Sequence, residues 1–338
     1  MNALRLGTRK SALAQAQARW VSEQLRQVFP ELQVELVLIT TSGDQLPDHP
    51  HPPTPSPLSM EKGKLKPSPY LRERVNAERS GEGGLKALFT KEIEDALLDH
   101  RIDMAVHSLK DMAAELPKGL MIGAVPSRED PRDVWIAKKG IPFKQLSKGA
   151  KVGTGAIRRQ AQLRHLRADL ELVPLRGNID TRLRQLPEGE LEGILLALAG
   201  LKRLGRASEA TEILPPDVML PAVGQGCLAI ESRQEDAKIV NYLKVLDHPS
   251  THQAALAERA FLKTLGGSCQ TPIAGHASLE NGLLMMTGLV ISPDGVQAIR
   301  DIESGRPFDA SGVGERLAQK LLAAGADKLL HAPSERFT

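Results

Sequence analysis

The stretch AVHSLKDMAAELP places His107, Ser108, Lys110 and Asp111 directly behind a short apolar run. At the carboxyl end of a strand, facing a cleft, a lysine and an aspartate could bind an anion, steady a developing cation and pass a proton. The competing account is a solvated turn closed by an Asx-type hydrogen bond, which needs no ligand. The arginines are more decisive. Arg9 follows the first apolar segment, Arg158 and Arg159 open a helix behind GTGAI, Arg176 closes LVPLR and Arg182 lies in the next helical stretch. Guanidinium groups grip carboxylates and phosphates bidentately, so arginines gathered at strand ends mark a site for a small polyanion. A merely solvated face accounts better for Arg164 and Arg167 than for the strand-end set.

The chain has two cysteines. Cys269 stands in TLGGSCQTPIAG, between glycines and Pro272, after a helix and before a strand. The usual fate of a lone thiol is burial as an inert small side chain. A loop so poor in bulky residues instead suits covalent attachment of a group. Cys227, in GQGCLAIE, begins an apolar strand and reads as core. A hydrolytic Cys–His site needs a histidine partner that sequence cannot place. The same stretch matches a dinucleotide fingerprint in letters only, because it leads into a strand rather than a helix. The sequence has no Walker loop, H-E-x-x-H or paired C-x-x-C, so it indicates neither nucleotide hydrolysis nor a metal site.

These side chains need a scaffold, and 338 residues suffice for two or three domains. Aromatics are only 3%, so the cores must rest on Leu, Ile, Val and Ala. A net charge of +3 argues for neither nucleic acid nor membrane. RRQAQLRHLR resembles a basic helix, but the chain lacks aromatics for base stacking and nearly balances its charges, so nucleic acid ranks below a small polyanion. The longest apolar run, GILLALAGL, falls short of the ~20 residues of a membrane helix. With no apolar leader behind its first basic residue, the expectation is a cytoplasmic protein, without a membrane partner, acting as a monomer.

Periodicity supplies the elements. ALRLGTR, VELVLITT and DMAVHS read as strands separated by the helices SALAQAQARWVSEQLRQVF and LKALFTKEIEDALLDH, an alternation that predicts an open, largely parallel sheet. The rhythm restarts with AKVGTG, AIRRQAQLRHLRADL, ELVPLRG, NIDTRLRQL and EGILLALAG. Two doubly wound α/β domains facing a cleft follow, with ligands beyond the carboxyl ends of the strands. From about residue 248 a helix leads to the Cys269 loop, three strand-like segments and a final helix, a small α+β domain with a three-stranded antiparallel sheet. The segment around 45–82, rich in Pro, Ser, Lys and Glu, shows no apolar period and reads as a disordered surface insertion.

Taken together, LRLGTRKSALAQAQA, ALFTKEIEDALL, DMAVHSLKD, REDPRDV, VGTGAIRRQAQL, LRGNIDTRL, LALAGLKRLG, LPAVGQG and AERAFLKTLGGSCQTPI resemble the porphobilinogen deaminase (hydroxymethylbilane synthase) family, over nearly the whole chain except the Pro-rich segment. The resemblance implies two lobes like those of periplasmic binding proteins. The first comprises residues 1–126 and 221–244, the second 127–220, and a third domain, 245–338, carries the cysteine. It implies head-to-tail condensation of four porphobilinogen molecules with release of ammonia, on a dipyrromethane cofactor held by a thioether to Cys269. Ser108, Lys110, Arg158, Arg159 and Asp111 match positions that bind this cofactor, and Arg9, Ser11, Gln17, Lys86, Phe89, Arg176 and Arg182 positions that bind substrate. Asp111 matches the catalytic aspartate, and a buried carboxylate facing a pyrrole cation is worth roughly 3–4 kcal/mol. The chain departs from the family at Gly155 and Ala156, which stand where the family has serines, at GEGGLKALF, and in the length of the Pro-rich segment.

Overall fold

The computed structural model describes residues 3–42, 58–61, 64–67, 87–268 and 271–330, with the backbone alone at 58–61, 64–67 and 87–89. Lys86, Cys269 and most of the Pro-rich insertion lie outside the described residues.

The chain opens with β1 (Leu4–Arg9), α1 (Ala12–Val28) and β2 (Val34–Ile39). Ser11 caps α1 by accepting a hydrogen bond from Ala14 N at 3.3 Å, which satisfies a backbone donor that the first turn leaves unpaired. Ala14, Ala18, Val21 and Leu25 recur at helical spacing and are buried. Two short strands lie within the insertion, β3 (Leu58–Glu61) and β4 (Lys64–Pro67), paired antiparallel where the sequence suggests no strand. Next come α2 (Ala87–Leu98), β5 (Met104–Ser108) and β6 (Leu120–Ala124).

A second α/β run follows: β7 (Asp133–Ala137), β8 (Lys151–Gly153), α3 (Ile157–Leu166), β9 (Glu171–Val173), α4 (Ile179–Glu188), β10 (Gly193–Ala197), α5 (Leu198–Arg203) and β11 (Glu212–Ile213). The chain then returns through β12 (Leu228–Arg233) and α6 (Ala237–Leu246) to α7 (Pro249–Thr264). The last part is β13 (Ile273–Glu280), β14 (Leu283–Ile291), β15 (Ala298–Gly305), α8 (Ala310–Ala323) and α9 (Ala326–Leu330).

Two five-stranded sheets result, ordered β2-β1-β5-β12-β6 and β11-β7-β10-β8-β9, with a three-stranded antiparallel sheet β13-β14-β15. The sheets are mixed rather than largely parallel. β1 runs parallel to β2 and β5, but β12 is antiparallel to both β5 and β6, and β7 is antiparallel to β10. The cause in the first sheet is connectivity: β12 enters it from the second sheet, against the direction of β5. Leu6, Met104, Val106 and Ile230 share a core with Ala18, Val21 and Leu25 of α1 and Leu243 of α6. The segment LALAG divides in two, its first two residues ending β10 and the next three opening α5.

A buried ion pair ties α7 to the segments 125–132 and 214–227, which join the two five-stranded sheets. Arg128 Nη1 donates to Glu258 Oε1 at 2.6 Å, and Glu258 also accepts the backbone N–H of Gly224 at 2.6 Å and of Ala277 at 2.7 Å. Burial alone pushes the Glu258 carboxyl up; the Arg128 guanidinium and His276 outweigh it and hold the group at about 2. A depressed carboxylate contributes stability that is present above its unfolded value, about 4.3, and lost as pH falls through the folded one. Urea unfolding between pH 5 and 2 is therefore expected to show falling stability. The Glu258→Gln chain, less stable at neutral pH, should show a shallower fall; an unchanged slope would remove Glu258 as a contributor.

Candidate active site

β1 and β5 are parallel neighbours, so their carboxyl ends deliver Arg9 and Ser108 to the same edge of the sheet. The Gln17 side chain, 3% exposed, donates from Nε2 to Ser108 Oγ at 2.9 Å and fixes α1 against that strand end. An open hollow with about 420 Å³ of atom-free space lies there, lined among others by Arg9, Ser11, Gln17, Thr90, Ser108 and Asp111. In the 3-10 turn Leu109–Asp111, Leu109 points inward and is 2% exposed, whereas Asp111 stands exposed on the rim. The expectation of a buried aspartate is thus corrected. The turn spends its inward position on leucine, and solvent screens part of the charge that Asp111 offers.

Lys110 is half-buried. Desolvation lowers its ammonium to about 8, with Asp111 and Asp133 opposing that shift and Arg159 and Arg158 reinforcing it. Its Nζ is 3.5 Å from Gln225 Oε1.

Arg158 and Arg159, both in the first turn of α3, are 5% and 4% exposed. Arg159 donates to Asp133 Oδ1 from Nη2 at 2.7 Å and from Nε at 3.2 Å, and to Leu195 O from Nη1 at 3.0 Å. Arg158 Nη1 donates to Leu220 O at 2.6 Å and lies 2.8 Å from Asp133 Oδ2, as a charge contact without hydrogen-bond alignment. Burial works to raise the Asp133 carboxyl, but the two guanidinium groups hold it far below the usual range. Three cations, Lys110, Arg158 and Arg159, thus gather around one fully buried carboxylate.

The remaining expected residues are placed as follows. Arg176 is exposed; Arg182 is half-buried and donates from Nε to Gly177 O at 2.8 Å; neither is among the residues lining the hollow. Phe89 belongs to the backbone of α2, and Lys86 and Cys269 are outside the described residues. Cys227 is 1% exposed, and burial pushes its thiol up to about 12, so it offers no thiolate near neutral pH. Arg164 is not simply solvated: Nη1 donates to Pro293 O at 2.7 Å, tying α3 to the C-terminal sheet.

Gly155 has a steric cause, since a Cβ there would meet Leu175 O at 2.4 Å. Ala156, at the N-cap of α3, has no side-chain oxygen to cap the helix.

Asp133 and Gln225 are not singled out in the sequence, nor is the burial of His107 against Glu231, whose Nε2 and Oε2 lie 2.9 Å apart. Asp133 sits in REDPRDV, where an acidic residue entering an apolar strand is a signal of buried pairing. Gln225 sits between two glycines, a signal of close backbone approach.

The chain is similar to known proteins over most of its length. A family model described as porphobilinogen deaminase, dipyromethane cofactor binding domain, matches residues 4–53 and 74–241. A second, porphobilinogen deaminase, C-terminal domain, matches residues 252–323. The porphobilinogen deaminase of Syntrophotalea carbinolica is 45% identical over 98% of this chain and 96% of its own length. That of Geobacter sulfurreducens is 43% identical over 98% and 94%. Among solved structures, the VFT2 domain of Bordetella pertussis BvgS aligns at TM-score 0.40 and 9% identity, over 72% of this chain and 86% of that one. Both the sheet-bearing part and the C-terminal part match at the level of sequence, and the chain belongs to the porphobilinogen deaminase family.

Proposed function

We propose that this chain is a transferase that joins four porphobilinogen molecules head to tail, releasing ammonia at each junction, and frees the linear hydroxymethylbilane. It does so on a dipyrromethane primer joined by a thioether to Cys269. The observation that carries the reading is the cationic cluster of Lys110, Arg158 and Arg159 around the single buried carboxylate of Asp133, beside a hollow rimmed by Asp111. Two buried guanidinium groups and a half-buried ammonium, in excess of the one buried carboxylate, call for an anionic ligand. Acetate and propionate side chains supply one, so the donor set fits both the primer and the substrate.

Each group has a task in this reading. Lys110, Arg158 and Ser108 hold the primer's carboxylates; Arg159 backs Arg158 through Asp133. Arg9, Ser11 and Gln17, lining the hollow, take porphobilinogen, with Lys86, Phe89, Arg176 and Arg182 on the substrate side as well. Asp111 faces the positive charge left on porphobilinogen as ammonia departs, accepts hydrogen bonds from pyrrole N–H groups and moves a proton. When bound, the dipyrromethane supplies the nucleophilic pyrrole carbon on which the product grows. Lobes at 1–126 with 221–244 and at 127–220, and a cofactor-anchoring domain at 245–338, complete the arrangement. The working form is a cytoplasmic monomer that binds neither nucleic acid nor membrane.

The test is the intact mass of the purified chain, with an aldehyde stain for pyrroles. The expected mass exceeds that of the polypeptide by two linked pyrroles, and the Cys269→Ser chain lacks the increment. A chain that is unmodified, and stays so after incubation with porphobilinogen, overturns the proposal in favour of a plain anion-binding module.

A further inference from the structure

We propose that Gln225 is a positioning residue for the Lys110 ammonium, standing where the parts of the molecule meet and keeping that cation beside the Arg158–Asp133–Arg159 cluster. The inference rests on reading this cluster as the seat of a carboxylate-bearing ligand.

The backbone at Gln225 leaves the side chain little choice of position. Gly224 and Gly226 both lie at positive φ, +73° and +89°. A Cβ on Gly224 would meet Lys110 N at 3.0 Å, and one on Gly226 would meet Glu129 O at 2.2 Å. The segment is threaded between the 109–111 turn and residues 128–129, a passage that only glycine on either side permits. The backbone carbonyl of Gln225 accepts Arg128 Nε at 2.9 Å, which links it to the Glu258 pair in α7.

The side chain, 1% exposed, is oriented by its own chemistry. Its Nε2 donates to Pro131 O at 2.6 Å and to Asp133 Oδ1 at 2.8 Å. A carboxamide has two donor hydrogens, so both are spent and the oxygen is the end left for Lys110. Among the described residues, Gln225 is the side chain that accepts a hydrogen bond from Lys110. The charges that bear on this ammonium are Asp111 of its own turn, Asp133 of β7, and Arg158 and Arg159 of α3. Two of them repel it, and a lysine stem is flexible enough to swing toward water. One neutral acceptor, fixed from the second lobe, opposes that escape without cancelling the positive charge that the ligand needs. A carboxylate in its place would neutralise Lys110 and crowd Asp133.

Competitive acetylation of Lys110 across a pH series, read by mass spectrometry, tests this on the purified chain. In the wild-type chain the reactivity midpoint is expected near 8. In Gln225→Met, close in shape but without an acceptor, the released amine should move up by at least about one pH unit toward an ordinary lysine. A midpoint that is unchanged or lower overturns the inference, because the amine would then have stayed in its buried place without Gln225. Gln225→Asn, which keeps an amide too short to span Asp133 and Lys110 together, carries the same expectations should the methionine variant not fold. The midpoint is read whether or not the chain turns over porphobilinogen, so failure of the functional proposal is a separate result.

Discussion

Asp111→Asn is expected to lower kcat by about 10³-fold while leaving the fold intact and substrate binding within a few-fold. The amide has nearly the same shape as the carboxylate but loses both its charge and its basicity. Proton transfer by a placed side chain contributes about 10²–10⁴-fold, and an electrostatic group at the developing charge about 10²–10³-fold. Asp111 stands exposed on the rim of the hollow, where solvent weakens the second effect, so the two together come to about 10³, or ~4 kcal/mol of barrier. A substitution at such an exposed position shifts stability by no more than about 0.5 kcal/mol. Ammonia release in a single turnover measures the loss directly. A rate near that of the wild-type chain would remove Asp111 from the chemistry and turn attention to the buried His107–Glu231 pair beside it.

Asp133→Asn should do the opposite, damaging the fold first. The carboxylate is fully buried and faces two guanidinium groups, themselves no more than 5% exposed. Removing one partner of a buried ion pair leaves uncompensated charge inside and costs about 3–5 kcal/mol. With a total stability of about 5–15 kcal/mol, that is a large share. Urea unfolding at neutral pH reads it, and a loss below about 1 kcal/mol would mean that the arginines reach solvent or another acceptor. Arg159 spends two of its described hydrogen bonds on Asp133 Oδ1 and should be left with the one to Leu195 O. Arg158, anchored also on Leu220 O, should retain part of its own.

The two substitutions mark the boundary of what is legible in the sequence. Asp111 lies next to Lys110 in a run behind an apolar strand, which marks it as a candidate, and the family resemblance assigns it a role. The strands and helices that carry Arg9, Ser108 and Arg158 follow equally from apolar period and helix-start chemistry. Asp133 is different: its meaning depends on α3 folding back over β7, a contact between residues 26 apart in sequence. Gln225 depends on a crossing segment threaded between residues from two parts of the chain. The direction of β12 was hidden for the same reason, since a strand's own residues do not record which neighbour it joins. Arg158 and Arg159 look alike in sequence, yet one guanidinium is committed to its neighbours and the other is held more loosely.

The burial of Cys227 has a synthetic consequence. A chain that acquires a covalent pyrrole primer must direct a reactive carbon electrophile to one sulfur and away from the other. Seated among Leu109, Met112, Val125 and Ala229, with its thiol pushed up to about 12, Cys227 is masked much as a chemist masks a group during a coupling. The fold thereby serves as its own protecting group. Loading can be selective with no separate enzyme to direct it, provided that folding precedes coupling.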